Sequence, residues 1–203
     1  MKWNFELKLK NYIINYWFIL KIIIFFLYKI LGVGLKCISV VVGIELEINV
    51  ISKNIYPLLF FLNKHTLCQF KIISDIICYD SLNKKFRFFM VYNLLSLTFN
   101  IRLCLITKIN EFTTVLSTIS LFKVANWLER EIFDFFGIFF LFNNDLRRIL
   151  TDYGFKGFPL RKDFPLTGFI EMYYDDNQNR ICCSQLELSQ EYRNYKLKTL
   201  WKS

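Results

Sequence analysis

The stretch ANWLEREIFDFFGIFFLFNNDLRRILTDYGFKGFPLRKD, Ala125 to Asp163, concentrates charge, aromatic rings and turn residues more densely than any other part of the chain. Stepped at about 100° per residue, Leu128, Ile132, Phe135 and Phe136 share one face of a helix, and Trp127, Arg130, Glu131 and Asp134 share the opposite one. On that polar face Arg130 and Asp134 stand at the i,i+4 spacing of an ion pair. Glu129 breaks the pattern. It falls between Phe133 and Phe136, inside the apolar arc, where an ionised carboxylate is costly unless a cation or several donors meet it. Its expected partner is Arg147 or Arg148. Gly137 lets the chain turn out of the helix. After the apolar run Ile138 to Phe142, the side chains of Asn143, Asn144 and Asp145 suit the cap of a short helical turn that carries both arginines.

The residues upstream read as scaffold. Lys36 to Val42 and Ile44 to Ile51 are two extended runs broken by Gly43, a hairpin or two neighbouring strands. Ser52 to Asn63 reads as a helix with Pro57 early in it and Leu58, Leu59, Phe61 and Leu62 on its buried face. His65, the single histidine, falls at that helix end with no nucleophile paired to it. Phe70 to Tyr79, Arg87 to Leu97 and Phe99 to Ile109 are β-branched and aromatic runs with short turns between them, an antiparallel meander. The order of elements implies an α+β fold, a mixed or antiparallel sheet covered by helices and followed by a long extended C-terminal tail.

That tail loses periodicity from Asp145. Gly154, Gly157, Pro159, Pro165 and Gly168 punctuate aromatic and charged residues, and Asp175 to Asn179 reads as a turn between two extended pieces. Few aliphatic positions remain to build a core, so the tail is expected to gain its order from a partner. The organisation is then an apolar helical segment over 1–35, an α+β domain over 36–144 and a partner-binding tail over 145–203.

Composition narrows the function. A mean hydropathy of +0.32 points towards a membrane protein, but 23 Phe, 11 Tyr and a single Ala follow the slant of AT-rich codons. Tyr12 to Leu31 is long enough to cross a bilayer, yet Lys21 sits mid-run, where it costs a few kcal/mol on insertion scales. The segment is therefore expected to pack on protein and not to span. The net charge of +9 calls for an anionic neighbour, but no basic block marks a nucleic-acid patch. Cys37, Cys68, Cys78, Cys104, Cys182 and Cys183 form no Cys-x-x-Cys, and most sit in apolar runs as buried thiols in a reducing compartment. There is no Gly-x-Gly-x-x-Gly and no Walker lysine loop.

The run Glu129, Arg130, Glu131, Asp134, Gly137, Asp145, Leu146, Arg147, Arg148, Ile149 and Leu150 resembles the signature of the thirty-kilodalton-type subunit of respiratory complex I, called NADH dehydrogenase subunit 9 in mitochondria and the C subunit in bacteria. Thr151 to Glu171, with Asp152, Arg161, Lys162 and Asp163, is similar to the mitochondrial branch, and the likeness extends loosely over residues 45 to 195. The family has Met at Phe135, His-Pro at Asn143 and Asn144, and His at Phe158. The resemblance implies a mitochondrially encoded core subunit of the matrix-side peripheral arm of the proton-pumping NADH:ubiquinone oxidoreductase, a translocase of the inner membrane. Such a subunit packs against the large quinone-site subunit, of the forty-nine-kilodalton type, and against cluster-bearing neighbours. It carries no catalytic residue, metal or cofactor itself, FMN and iron–sulfur clusters residing in partner subunits. It binds no nucleic acid and meets the membrane only through the complex. A mitochondrial ribosomal or RNA-binding protein is the alternative that basic charge and aromatics permit. Acid–base catalysis by Asp134, Glu129 and Glu131 is the enzyme-class rival.

Overall fold

The computed structural model describes residues 35–41, 45–82 and 86–193. The apolar segment Tyr12 to Leu31 and Cys37's side chain lie outside what is described. Among the described residues no helix is long and apolar enough to cross a membrane.

Five strands form one mixed sheet: β1 (Leu35–Val41), β2 (Glu45–Ile51), β3 (Ile72–Asp80), β4 (Phe88–Ser96) and β5 (Ile101–Ile109), in the order β1-β2-β5-β4-β3. β1 and β2 pair antiparallel, as do β3 with β4 and β4 with β5. The hairpin and the meander expected from the alternating runs are both present. What joins them is a parallel pairing of β2 with β5, Ile48 opposite Leu105 and Val50 opposite Thr107. A parallel neighbour requires a crossover, and the chain between the two strands supplies it with α1 (Ile55–Lys64) and β3–β4.

One face of the sheet is buried. Ile48, Val50, Leu103, Leu105, Met90, Tyr92 and Leu94 alternate inward and pack with Ile55, Leu58, Leu59 and Leu62 of α1. A register shift between Ile73 and Asp75 lets Ile73 and Ile76 both reach that core although they are an odd number of residues apart. His65 is the cap residue of α1, as expected, its ring 4.7 Å from that of Phe61.

α2 (Ala125–Phe136) lies against β3. It is flanked by two short strands, β6 (Val115–Leu116) and β7 (Phe140–Leu141), paired in parallel. Cys68 and Cys78 are buried, and burial pushes their thiols up to about 11 and about 12. Cys104 and Cys182 are half-buried and Cys183 is exposed, so of the cysteines described only Cys68 and Cys78 are the buried thiols expected of most of them.

The chain forms two compact units, the first ending at Lys162 and the second starting at Asp163. This moves the boundary expected at residue 144. Residues 145–162 carry little aliphatic side chain, but they are held to the first unit by hydrogen bonds and ion pairs, which hydrophobic patterning does not register. The second unit contains β8 (Ile170–Asp175) and β9 (Arg180–Gln185), an antiparallel hairpin closed by the expected turn.

Candidate functional site

The family-like motif gathers around α2, with one carboxylate on each side of the helix. Ala125, Glu129, Ile132 and Phe136 are buried along one face, so Glu129 sits inside the apolar arc where the helical wheel put it. No arginine meets it, which corrects the expected pairing with Arg147 or Arg148. Ser117 Oγ donates to its Oε2 at 2.7 Å, and Thr118 N–H and Oγ1 donate to its Oε1 at 2.7 and 2.9 Å. Asn143 Nδ2 completes the set at 3.2 Å. The β6–β7 pair delivers these donors: Val115 and Ser117 N–H bond the carbonyls of Phe139 and Leu141 at 3.0 and 2.9 Å, which brings the Ser117–Thr118 turn and Asn143 over the carboxylate. Burial pushes Glu129 above the usual carboxylate range, and the bonds from Thr118, Ser117 and Asn143 pull only part of the way back. Tyr92 lies in the same core, its phenol pushed well up by burial and then by the charge of Glu129.

Asp134 occupies the opposite side of the wheel, yet it is fully buried, because residues 145–162 cross over that side. Ile149, Leu150 and Thr151 aim three successive backbone N–H groups at its Oδ2, at 3.2, 2.8 and 2.9 Å. Thr151 Oγ1 donates to Oδ1 at 2.6 Å, and Arg148 Nη1 stands 3.5 Å away. Burial raises the carboxyl, but the Thr151 hydroxyl and the three N–H groups together hold it below its ordinary value. The Arg130–Asp134 pair expected from spacing does not form. Arg130 instead bonds the Asn126 carbonyl and Asp145, each at 3.3 Å, while the donors of the crossing segment occupy Asp134. The helical turn expected at Asn143 to Arg148 is absent too: Asn143 Oδ1 accepts the N–H of Asp145 at 3.0 Å, and the backbone continues without regular structure. Arg147 is mostly exposed and pairs with Asp145, also exposed, at 3.2 Å, a pair of small energetic weight.

The far end of the crossing segment is pinned by a chain of charges. Arg161 Nε donates to the Phe136 carbonyl at 2.7 Å, and its guanidinium also bonds Glu111. Glu111 meets Arg87 at 3.4 Å, and Arg87 meets Asp80 at 3.0 Å. Asp80 accepts the Lys162 N–H at 3.0 Å. It is buried, which raises it, but Arg87 and that N–H hold it below the usual range. The ring of Phe158 lies between two guanidinium groups, Arg161 at 4.5 Å and Arg148 at 5.0 Å. Gly137 makes this approach possible. It caps α2 at φ 73°, and a Cβ there would stand 2.5 Å from the Phe158 ring and 2.8 Å from Arg161.

Of the residues singled out from the sequence, Glu129, Arg130, Asp134, Gly137, Asp145, Arg148 and Arg161 meet around α2. Lys162 joins through its backbone N–H and through its charge, both of which favour ionised Asp80, Asp152 turns its carboxylate to the N–H of Tyr153 at 2.8 Å, and Glu131 is half-buried outside both carboxylate clusters. Asp163 belongs to the second unit. Sequence reasoning missed Asp80, Arg87, Glu111, Ser117 and Thr118. The one legible trace was charge at the ends of β3, β4 and β5, which reads by default as solvated. Among the described residues no cluster of His, Cys, Asp and Glu is placed to hold a metal ion.

The model of the family described as Respiratory-chain NADH dehydrogenase, 30 Kd subunit, matches residues 48–170, which take in the second half of β2, β3 to β7, both helices and the whole crossing segment. The chain belongs to this family. NADH-ubiquinone oxidoreductase subunit 9 of Reclinomonas americana is 48% identical over 157 residues, 77% of each chain. The mitochondrial NADH dehydrogenase (ubiquinone) iron-sulfur protein 3 of Candida albicans is 51% identical over 151 residues, 74% of this chain and 54% of that one. A solved structure of the membrane-bound sulfane sulfur reductase, an archaeal respiratory membrane complex, contains a chain with a similar fold: TM-score 0.61 and 22% identity over 72% of this chain and 85% of that one. In this respiratory-chain subunit the cage around Asp134 therefore lies inside the family's own segment, while the β8–β9 hairpin begins where the match ends.

Proposed function

We propose that this chain is a scaffold subunit of the matrix-side peripheral arm of NADH:ubiquinone oxidoreductase in the mitochondrial inner membrane, a proton-translocating enzyme whose chemistry belongs to its partners. In this reading it packs against the large quinone-site subunit beside the cluster-bearing subunits, and FMN and the iron–sulfur clusters reside in those neighbours. The observation that carries the reading is how the motif charges are engaged. Glu129 accepts four hydrogen bonds and Asp134 accepts five, all from this chain. A general acid or base needs a lone pair within reach of a substrate proton, and these are filled by structural donors. The same groups hold a charged, aromatic segment in one conformation on the outside of α2, with Tyr153 fully exposed and Leu150 and Leu160 about half exposed, at 49% and 53%. Aromatic and aliphatic anchors set among charges are the composition of a protein interface.

The test is replacement of the subunit by an epitope-tagged copy, followed by native electrophoresis of mitochondrial membranes. Co-migration with NADH-oxidising activity, and with flavin and iron–sulfur absorbance in the tag-purified fraction, is the expected result. Migration with ribosomes, or as a free chain while the activity band is intact, would refute the scaffold role.

A further inference from the structure

In the second unit, β8 and β9 pair residue for residue: Ile170 with Gln185, Met172 with Cys183 and Tyr174 with Ile181, alternating with Glu171–Ser184, Tyr173–Cys182 and Asp175–Arg180. Directly opposite residues of an antiparallel pair project to the same face, and successive residues to opposite faces. One face is therefore free of charge. The other carries Glu171, Asp175 and Arg180. On the uncharged face Met172, Ile170, Tyr174 and Ile181 are 48%, 55%, 58% and 65% exposed.

A two-stranded hairpin without a third strand or a packed helix is marginal in water. None of the described residues of this unit is buried, so among the described residues of the unit no packed layer supplies that support. Charge cleared from one face and retained on the other is how an interface core differs from its rim, and Met and Tyr are adaptable anchors for such a core. Relatives at about half identity are named as a subunit of NADH-ubiquinone oxidoreductase, which favours a different protein over a second copy as the surface that covers the hairpin.

We infer that the face formed by Ile170, Met172, Tyr174, Ile181 and Cys183 is seated on an apolar surface of a neighbouring subunit of the same respiratory complex, with the Glu171, Asp175 and Arg180 face turned to solvent. This rests on the scaffold role proposed above.

The adjacent cysteines report on it, because Cys182 belongs to the charged face and Cys183 to the seated one. Alkylation by N-ethylmaleimide, followed by fragment-ion sequencing, is measured in the intact complex and in the chain expressed alone. Assembly is expected to slow Cys183 about tenfold or more and Cys182 less than about twofold, since thiol reactivity follows access. Met172→Asp and Ile181→Asp are expected to deplete the chain from the complex, and Glu171→Gln and Ser184→Ala to leave its incorporation unchanged. Equal slowing at both cysteines, slowing at Cys182 alone, or slowing of Cys183 already in the chain by itself would overturn the assignment, the last by showing that its own fold or a second copy covers the face. A wild-type chain that enters the complex with both cysteines as reactive as in isolation overturns this inference and leaves the scaffold role standing. A wild-type chain that never enters it overturns both.

Discussion

Glu129 and Asp134 lie on opposite sides of one helix, and both are fully withdrawn from water, but they are held by different means. Glu129 is met by two hydroxyls, one backbone N–H and one side-chain amide, none of them charged. Asp134 is met by three convergent backbone N–H groups, a hydroxyl and a guanidinium. Both lose hydration, which raises a carboxyl. Only at Asp134 do the donors more than offset that loss. One helix thus carries a strained acid on the sheet side and a stabilising one under the crossing segment. A buried charge is a tether only where its donors outweigh its desolvation.

The largest effect is expected from Asp134→Asn, which points an amide donor at a set of donors and removes the charge opposite Arg148. Urea unfolding at pH 7 should show a loss of about 3–5 kcal/mol, and hydrogen exchange should quicken at Ile149 to Thr151 before it does in the sheet. Because the folded carboxyl titrates below its ordinary 3.8, its stabilisation is present above that value and is lost as pH falls through the folded one. The gap between wild type and variant should therefore narrow in acid. An unchanged urea midpoint would remove Asp134 as the tether.

Gly137→Ala tests the other end of the same segment. The added methyl meets the Phe158 ring and Arg161 in a left-handed backbone conformation, and a cost of about 2 kcal/mol is expected. A midpoint within error of wild type would mean that Phe158 yields freely and that the ring between the two arginines is not a fixed contact.

Glu129→Gln should have the smallest effect at neutral pH, about 1 kcal/mol, since the amide keeps one acceptor and sheds a costly buried charge. Its pH dependence is the sharper measurement. The folded carboxyl titrates above its ordinary 4.5, so the wild type gains stability as pH falls through the folded value and the glutamine variant does not. The gap between them should widen in acid, the reverse of the Asp134→Asn pair. Parallel trends for the two variants would falsify the contrast between the two sides of the helix.

Much of the fold was legible because it is written in short-range pattern. The meander follows from β-branched and aromatic runs with short turns, α1 from its leucines and Pro57, α2 from its two-faced wheel, and the β8–β9 turn from Asp175 to Asn179. The parallel join of β2 to β5 was not legible, since strand alternation carries no direction. At the site, the anomaly of Glu129 was visible as a charge in an apolar arc, but its donors were not. Ser117 and Thr118 precede the helix in a turn with no distinguishing signal, and β6 and β7, which deliver them and Asn143, are two residues long.

The sequence by itself determined which elements form, which family they belong to, and that α2 carries a carboxylate on its apolar side, because periodicity, turn chemistry and a long polar motif are properties of neighbouring residues. Tertiary structure decided what each charge does. A helical wheel gives the angle at which Asp134 leaves the helix, not whether another stretch of chain lies there. With residues 145–162 across that side, an exposed i,i+4 partner for Arg130 becomes the buried acceptor of three backbone amides, and the boundary read from missing hydrophobic pattern moves to Lys162. Hydrogen bonds and ion pairs between residues far apart in the chain make that choice, and their donors, chiefly backbone N–H groups, are common to nearly every residue and so leave no mark in a sequence.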